Sequence, residues 1–84
     1  MTVAEPGELS IRRIGSLVRE RRRANRLTQR ELSELAGVGL RLVSELERGK
    51  STLRMDAVNR VLSVFGLILG PVPAPRPVEN DERE

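Results

Sequence analysis

Four polar side chains in the middle of this 84-residue chain recur at the spacing of a helix face: Arg41, Ser44, Glu45 and Arg48. At about 100° per residue they gather on one side of a rod running from Leu40 to Arg48. Val43 and Leu46 gather on the other side, with Leu42 and Leu40 at the edges. Two guanidinium groups, a hydroxyl and a carboxylate supply both donors and acceptors. In a DNA major groove an arginine can pair bidentately with guanine, and a carboxylate can accept from the amino group of cytosine. Taken alone, the same residues are an ordinary solvated face. Their meaning depends on what surrounds them.

The composition argues against catalysis. Histidine, cysteine and tyrosine are absent, which removes the usual general base at neutral pH and the usual zinc ligands. No glycine-rich loop suited to cradling phosphate is present, and the carboxylates fall at helix-surface positions. The expectation is a protein that is not an enzyme and uses no metal or cofactor. Phe65 is the single aromatic residue, which argues against base stacking as a binding mode.

The elements that must position the polar face can be read around it. Thr28 and Glu31 fit a capping box, in which each side chain satisfies a free backbone donor of the other. Leu32, Leu35 and Ala36 follow at helical spacing, and Gly37 stands where a helix exits through a left-handed residue. After Val38 and Gly39 a second helix can run to Arg48, stopped by Gly49. Two short helices joined by a tight turn are a helix-turn-helix in outline. Upstream, Ser10 is a plausible N-cap for a first helix with the stripe Ile11, Ile14, Leu17 and Val18, exiting at Asn25. Arg19, Arg21, Arg22 and Arg23 crowd its last turns, where cations suit the helix dipole. Downstream, Met55, Val58, Leu62 and Phe65 form the core stripe of a further helix, closed by Gly66. Leu67, Ile68 and Leu69 are read as a short extended segment.

Charge divides the chain. Residues 11–60 hold 13 of the 15 basic and 6 of the 12 acidic side chains, a net of +7, whereas residues 71–84 carry −2. A basic compact part suits a polyanionic partner. The alternating prolines of PVPAPRP forbid helix, and VENDERE is acidic and polar. The domain reading is a flexible stretch at 1–9, one folded domain at 10–70, and a proline-rich then acidic disordered tail at 71–84. No apolar run approaches the roughly 20 residues of a membrane helix. No basic and apolar leader is read in MTVAEPGELS, and the lack of cysteine is compatible with a reducing compartment, so a cytoplasmic location is expected.

The pattern LTQRELSELAGVG followed by VSELERGK resembles the lambda-repressor-like (XRE-type) helix-turn-helix family over roughly residues 10–66. The continuation GKSTLRMDAVNRVLSVFGLIL is similar to HipB-type antitoxins. The resemblance implies a mainly α, compact fold of four to five helices, with one short C-terminal β-strand, Leu67, Ile68 and Leu69, pairing across a homodimer. It further implies a sequence-specific repressor of an inverted-repeat operator in double-stranded DNA, autoregulating its operon, with a HipA-like kinase toxin as a possible partner. A stand-alone regulator, or an interaction module that has lost DNA binding, are the other readings. Position by position, Leu40, Arg41, Ser44 and Glu45 fall where the family reads bases, and Leu40 would touch a thymine methyl. Gln29 falls where the family bonds phosphate, with Thr28 and Arg30 beside it. Arg48, Lys50 and Arg54 are placed to meet further phosphates. Arg22 and Glu47 correspond to a partly buried ion pair tying the first helix to the third.

Overall fold

The computed structural model describes residues 6–73, with side chains from residue 11. Four helices follow one another: α1 (Pro6–Ala24), α2 (Gln29–Ala36), α3 (Leu40–Glu47) and α4 (Met55–Val64). The first helix begins at Pro6 and not after Ser10, so the expected flexible stretch is helical from that residue. A proline suits a first turn, because its missing N–H would have had no intrahelical partner there. Residues 1–5 and 74–84, which carry the rest of the expected loose N-terminus and most of the expected tail, lie outside the described residues.

The exit from α1 also differs from expectation. Arg26, not Asn25, takes the left-handed conformation (φ 57°). Leu27 N–H then donates to Arg22 O at 3.0 Å and Arg26 N–H to Arg23 O at 3.0 Å, the two bonds that close a helix through a left-handed residue. Asn25 instead uses its side chain, donating to Arg21 O at 2.7 Å. The α2 start carries the full capping box: Glu31 N–H donates to Thr28 Oγ1 at 3.0 Å and Thr28 N–H to Glu31 Oε1 at 2.8 Å. Gly37 (φ 72°) turns the chain toward α3.

Val18, Leu32, Val43, Leu46, Val58, Val61 and Leu62 form the buried core, one or more from each helix. Burying a side chain of this kind is worth about 1.5–3 kcal/mol, which is what holds helices of eight to ten residues in place. The core stripe of α2 is Leu32, Ser33 and Ala36, and Leu35 is 63% exposed. At about 100° per residue Leu35 lies roughly a quarter-turn from that stripe. Ser33 can be buried because its hydroxyl donates to Arg30 O at 2.7 Å. Met55, expected in the α4 stripe, is 73% exposed. It is the first residue of α4 and forms the rim of an open, largely apolar groove of about 270 Å³ shared with Ile11, Ile14, Leu53 and Leu69.

No strand occurs among the described residues. The segment expected to be one, Leu67 to Leu69, is folded back: Leu67 and Leu69 pack against the core and Ile68 is left exposed. Leu69 N–H donates to Asn59 Oδ1 at 2.7 Å. A strand needs a neighbouring ladder for its backbone groups, and within one chain the Asn59 side chain takes that place. No described helix is long and apolar enough to cross a membrane.

Candidate nucleic-acid interface

The outward face of α3 is presented beside the start of α2 and the loop that follows α3. Arg41 projects furthest, its side chain 89% exposed. Leu40 is part exposed at the helix start, and Ser44 is half-buried one turn on. Glu45 is not an open acid. Its Oε2 receives Arg41 Nε at 3.1 Å and Lys50 Nζ at 3.4 Å. Desolvation pushes the Glu45 carboxyl up, but the hydrogen bonds from Arg41 and Lys50 outweigh it and hold the group below the usual carboxylate range. Glu45 is therefore charged at neutral pH and internally matched.

The positions expected to meet phosphate fall into two groups. Arg30 and Arg48 are exposed, with no side-chain partner among the described residues. Lys50 is shared with Glu45, and Arg54 lies in a two-pronged pair with Asp56, Nη2 to Oδ2 at 2.8 Å and Nε to Oδ1 at 3.1 Å. The Thr28 hydroxyl is spent on the α2 cap. Gln29 Nε2 donates to Glu47 Oε1 at 3.1 Å, which turns its amide toward α3.

Beneath this face lies a charged anchor. Arg22 Nε donates to Glu47 Oε2 at 2.7 Å and Nη2 to Oε1 at 3.0 Å, while Nη1 donates to Leu27 O at 2.9 Å. The two side chains are 12% and 3% exposed. Desolvation raises the Glu47 carboxyl, yet the bonds from Arg22 and Gln29 prevail and keep it low. The hydrogen bond to Glu47 in turn raises Arg22 above the ordinary guanidinium value. One carboxylate thus joins α1, α2 and α3.

Two positioning residues, Gly15 and Asn59, and one contact, Gln29 to Glu47, escaped the reading of the sequence. Gly15 is buried where α1 crosses the end of α3, and a Cβ built there would overlap Leu46 O. Asn59 and the Gln29–Glu47 bond rest on separations of 10 and 18 residues, for which no periodicity gives a signal. The Arg41–Glu45 pair was not read either, both residues being expected to meet bases, although its i, i+4 spacing carried a signal for it.

A capped short helix, a glycine corner and a second helix bearing a polar, cation-flanked outer face define a helix-turn-helix protein. The helix-turn-helix family model matches residues 18–68, well over half the chain. The chain is also 47% identical over 53 residues to a protein of Sinorhizobium fredii described as the uncharacterized HTH-type transcriptional regulator y4mF, a match spanning 63% of this chain and 70% of that one. This chain belongs to the XRE-type helix-turn-helix family.

Proposed function

We propose that this chain is a transcriptional regulator that binds double-stranded DNA by inserting α3 into the major groove. The observation that carries the reading is the α3 face itself. Arg41 stands almost fully exposed at its centre, and Arg30 and Arg48 flank it as free cations. Leu40, Arg41 and Ser44 face the base edges, with Glu45 on the same side. Arg30, Arg48, Lys50 and Arg54 face phosphates, with Gln29 and the α2 terminus beside them. The family membership and the description of the Sinorhizobium fredii relative support the same conclusion.

The protein acts as a homodimer on an inverted repeat, placing two α3 helices about 34 Å apart in successive major grooves. Of the segment expected to carry the dimer contact, Leu67 and Leu69 pack on the chain's own core and Leu69 N–H is taken by Asn59, so the exposed Ile68 is the side chain that supports dimerisation there. Repression of its own operon as a HipB-like antitoxin is the finer reading, supported by the resemblance of residues 49–69 to that type. Co-purification with a kinase-like partner tests it, and a chain that binds no such kinase while regulating other genes overturns it.

The DNA reading is tested by selecting duplexes from a random pool and measuring affinity at two salt concentrations. Each phosphate neutralised adds about 0.9 to the log–log salt slope. Arg41→Ala is expected to cost about 1–3 kcal/mol on the selected duplex, concentrated at one base pair of each half-site. A chain with no salt-dependent affinity for any duplex is a protein-interaction module instead, and the proposal fails.

A further inference from the structure

A carboxylate in the middle of a face that meets DNA is an electrostatic cost unless it has a task, because it repels phosphates over a distance of about 10 Å. Glu45 has one visible in the geometry. A single oxygen, Oε2, holds Arg41 Nε at 3.1 Å from within α3 and Lys50 Nζ at 3.4 Å from the loop beyond it. The Glu45 side chain is only 13% exposed under this pair, while that of Arg41 remains 89% exposed. The Arg41 terminal nitrogens have no partner among the described residues.

An arginine can present guanine with either of two edges: the side edge, which includes Nε, or the terminal edge made by the two Nη groups. With Nε held by Glu45, only the terminal edge is offered. That edge matches the acceptors O6 and N7 of guanine, the pairing that gives arginine its strongest base discrimination. Holding the side chain in place before binding also removes part of the rotamer entropy that a free arginine loses on docking.

We propose that Glu45 is the positioning residue for Arg41, fixing its guanidinium to read one guanine per half-site while tethering Lys50 at the phosphate side, and that Glu45 itself reads no base. This rests on the DNA-binding reading above and assigns its sequence preference. Glu45, expected to accept from cytosine, acts instead through its neighbour.

The test begins with the duplex selected by the wild-type chain. Failure to select any duplex overturns the DNA-binding reading, and this assignment with it. Each guanine of the selected duplex is then replaced in turn by 7-deazaguanine, which lacks the N7 acceptor. Wild type is expected to lose about tenfold or more in affinity at one guanine per half-site. Glu45→Ala is expected to shrink that difference to about threefold or less, and Glu45→Gln, which keeps an acceptor for Nε, to retain part of it. Adding Arg41→Ala to Glu45→Ala should remove only that remainder of about threefold or less, far less than Arg41→Ala removes from wild type, since both act through one contact. Two results overturn the assignment. One is Glu45→Ala keeping the full 7-deazaguanine effect while losing preference at a separate C·G pair, which makes Glu45 a base reader. The other is a uniform loss on every duplex, selected or random, which makes it a structural residue.

Discussion

Replacing Gly15 by alanine should destabilise the fold, although the same change at an exposed helical site stabilises. The methyl would enter the α1–α3 crossing, overlap Leu46 O and lie 3.3 Å from Glu47 O. Both obstacles are main-chain atoms, so no side-chain rotation relieves the clash. An exposed glycine-to-alanine change in a helix gains about 1 kcal/mol. Overpacking a close-packed contact costs about 1–3 kcal/mol, and rigid main chain places this case in the upper half of that range. The net is a loss of about 1–2 kcal/mol, or roughly 5–15 °C in Tm for a domain of this size. Thermal and urea unfolding followed by far-ultraviolet circular dichroism measures it. Ser16→Ala, at the exposed neighbouring position, serves as the control and should change little. An unchanged or raised Tm for Gly15→Ala would refute the argument that α1 and α3 meet backbone to backbone at this residue.

Arg26 holds a left-handed conformation (φ 57°) that costs a side-chain-bearing residue about 1–2 kcal/mol, so Arg26→Gly should raise the urea midpoint by an amount worth about 0.5–1 kcal/mol without changing the m-value. Thr28→Ala removes half of the α2 capping box and should cost about 1 kcal/mol, read from the same curves. The carboxyl of Glu47 is held below its ordinary value of 4.5 in the folded chain, so the unfolded chain binds its proton at higher pH than the folded chain does. That contribution is complete above about pH 4.5 and is lost as the pH falls through the folded value, in the same direction as those of Glu45 and Asp56. Glu47→Gln should therefore lower stability at pH 7 and flatten the acid limb of a stability–pH curve, whereas an unaltered acid limb would mean the pair contributes nothing.

The parts of this fold legible in the sequence were those whose signal is local. Thr28 with Glu31, Gly37 with its left-handed turn, and the Val43/Leu46 stripe each depend on residues within one or two helical turns. The boundaries were less legible. Pro6 starts α1 and Arg26 ends it, because the chain spends a strained arginine one residue beyond the more obvious Asn25. Leu35 and Ser33 exchange their expected places because period alone does not say which side of an eight-residue helix faces the core. A hydroxyl that can return its proton to the preceding turn is as buriable there as a leucine. Gly15 was illegible for another reason. A glycine inside a helix reads as a weakness until the backbone it must admit is known. The polar face was legible as a face, but its internal wiring was only partly so. The i, i+4 spacing of Arg41 and Glu45 signalled a pair that was passed over for two base contacts, whereas Lys50 and Gln29 are brought in by the tertiary fold.

The placement of α3 explains how so short an element could serve as the reading head proposed for it. Eight residues do not hold a helix in water, and Gly39 gives it no side-chain cap. Its orientation is therefore imposed from outside, at three points along its length. The Gly37 corner fixes its start, and Val43 and Leu46 fix its inner side in the core. Its end is fixed twice, by the backbone approach at Gly15 and by Glu47 bonded to Arg22 and Gln29. Glu45 and Glu47, two residues apart and so about 200° around the helix, divide the work. The inner acid anchors the helix to α1 and α2, and the outer acid aligns the cations that α3 and its loop present. On the proposed reading, a rod aimed by the first and dressed by the second would reach a duplex with both position and chemistry already set, which is the condition for reading sequence with so few side chains.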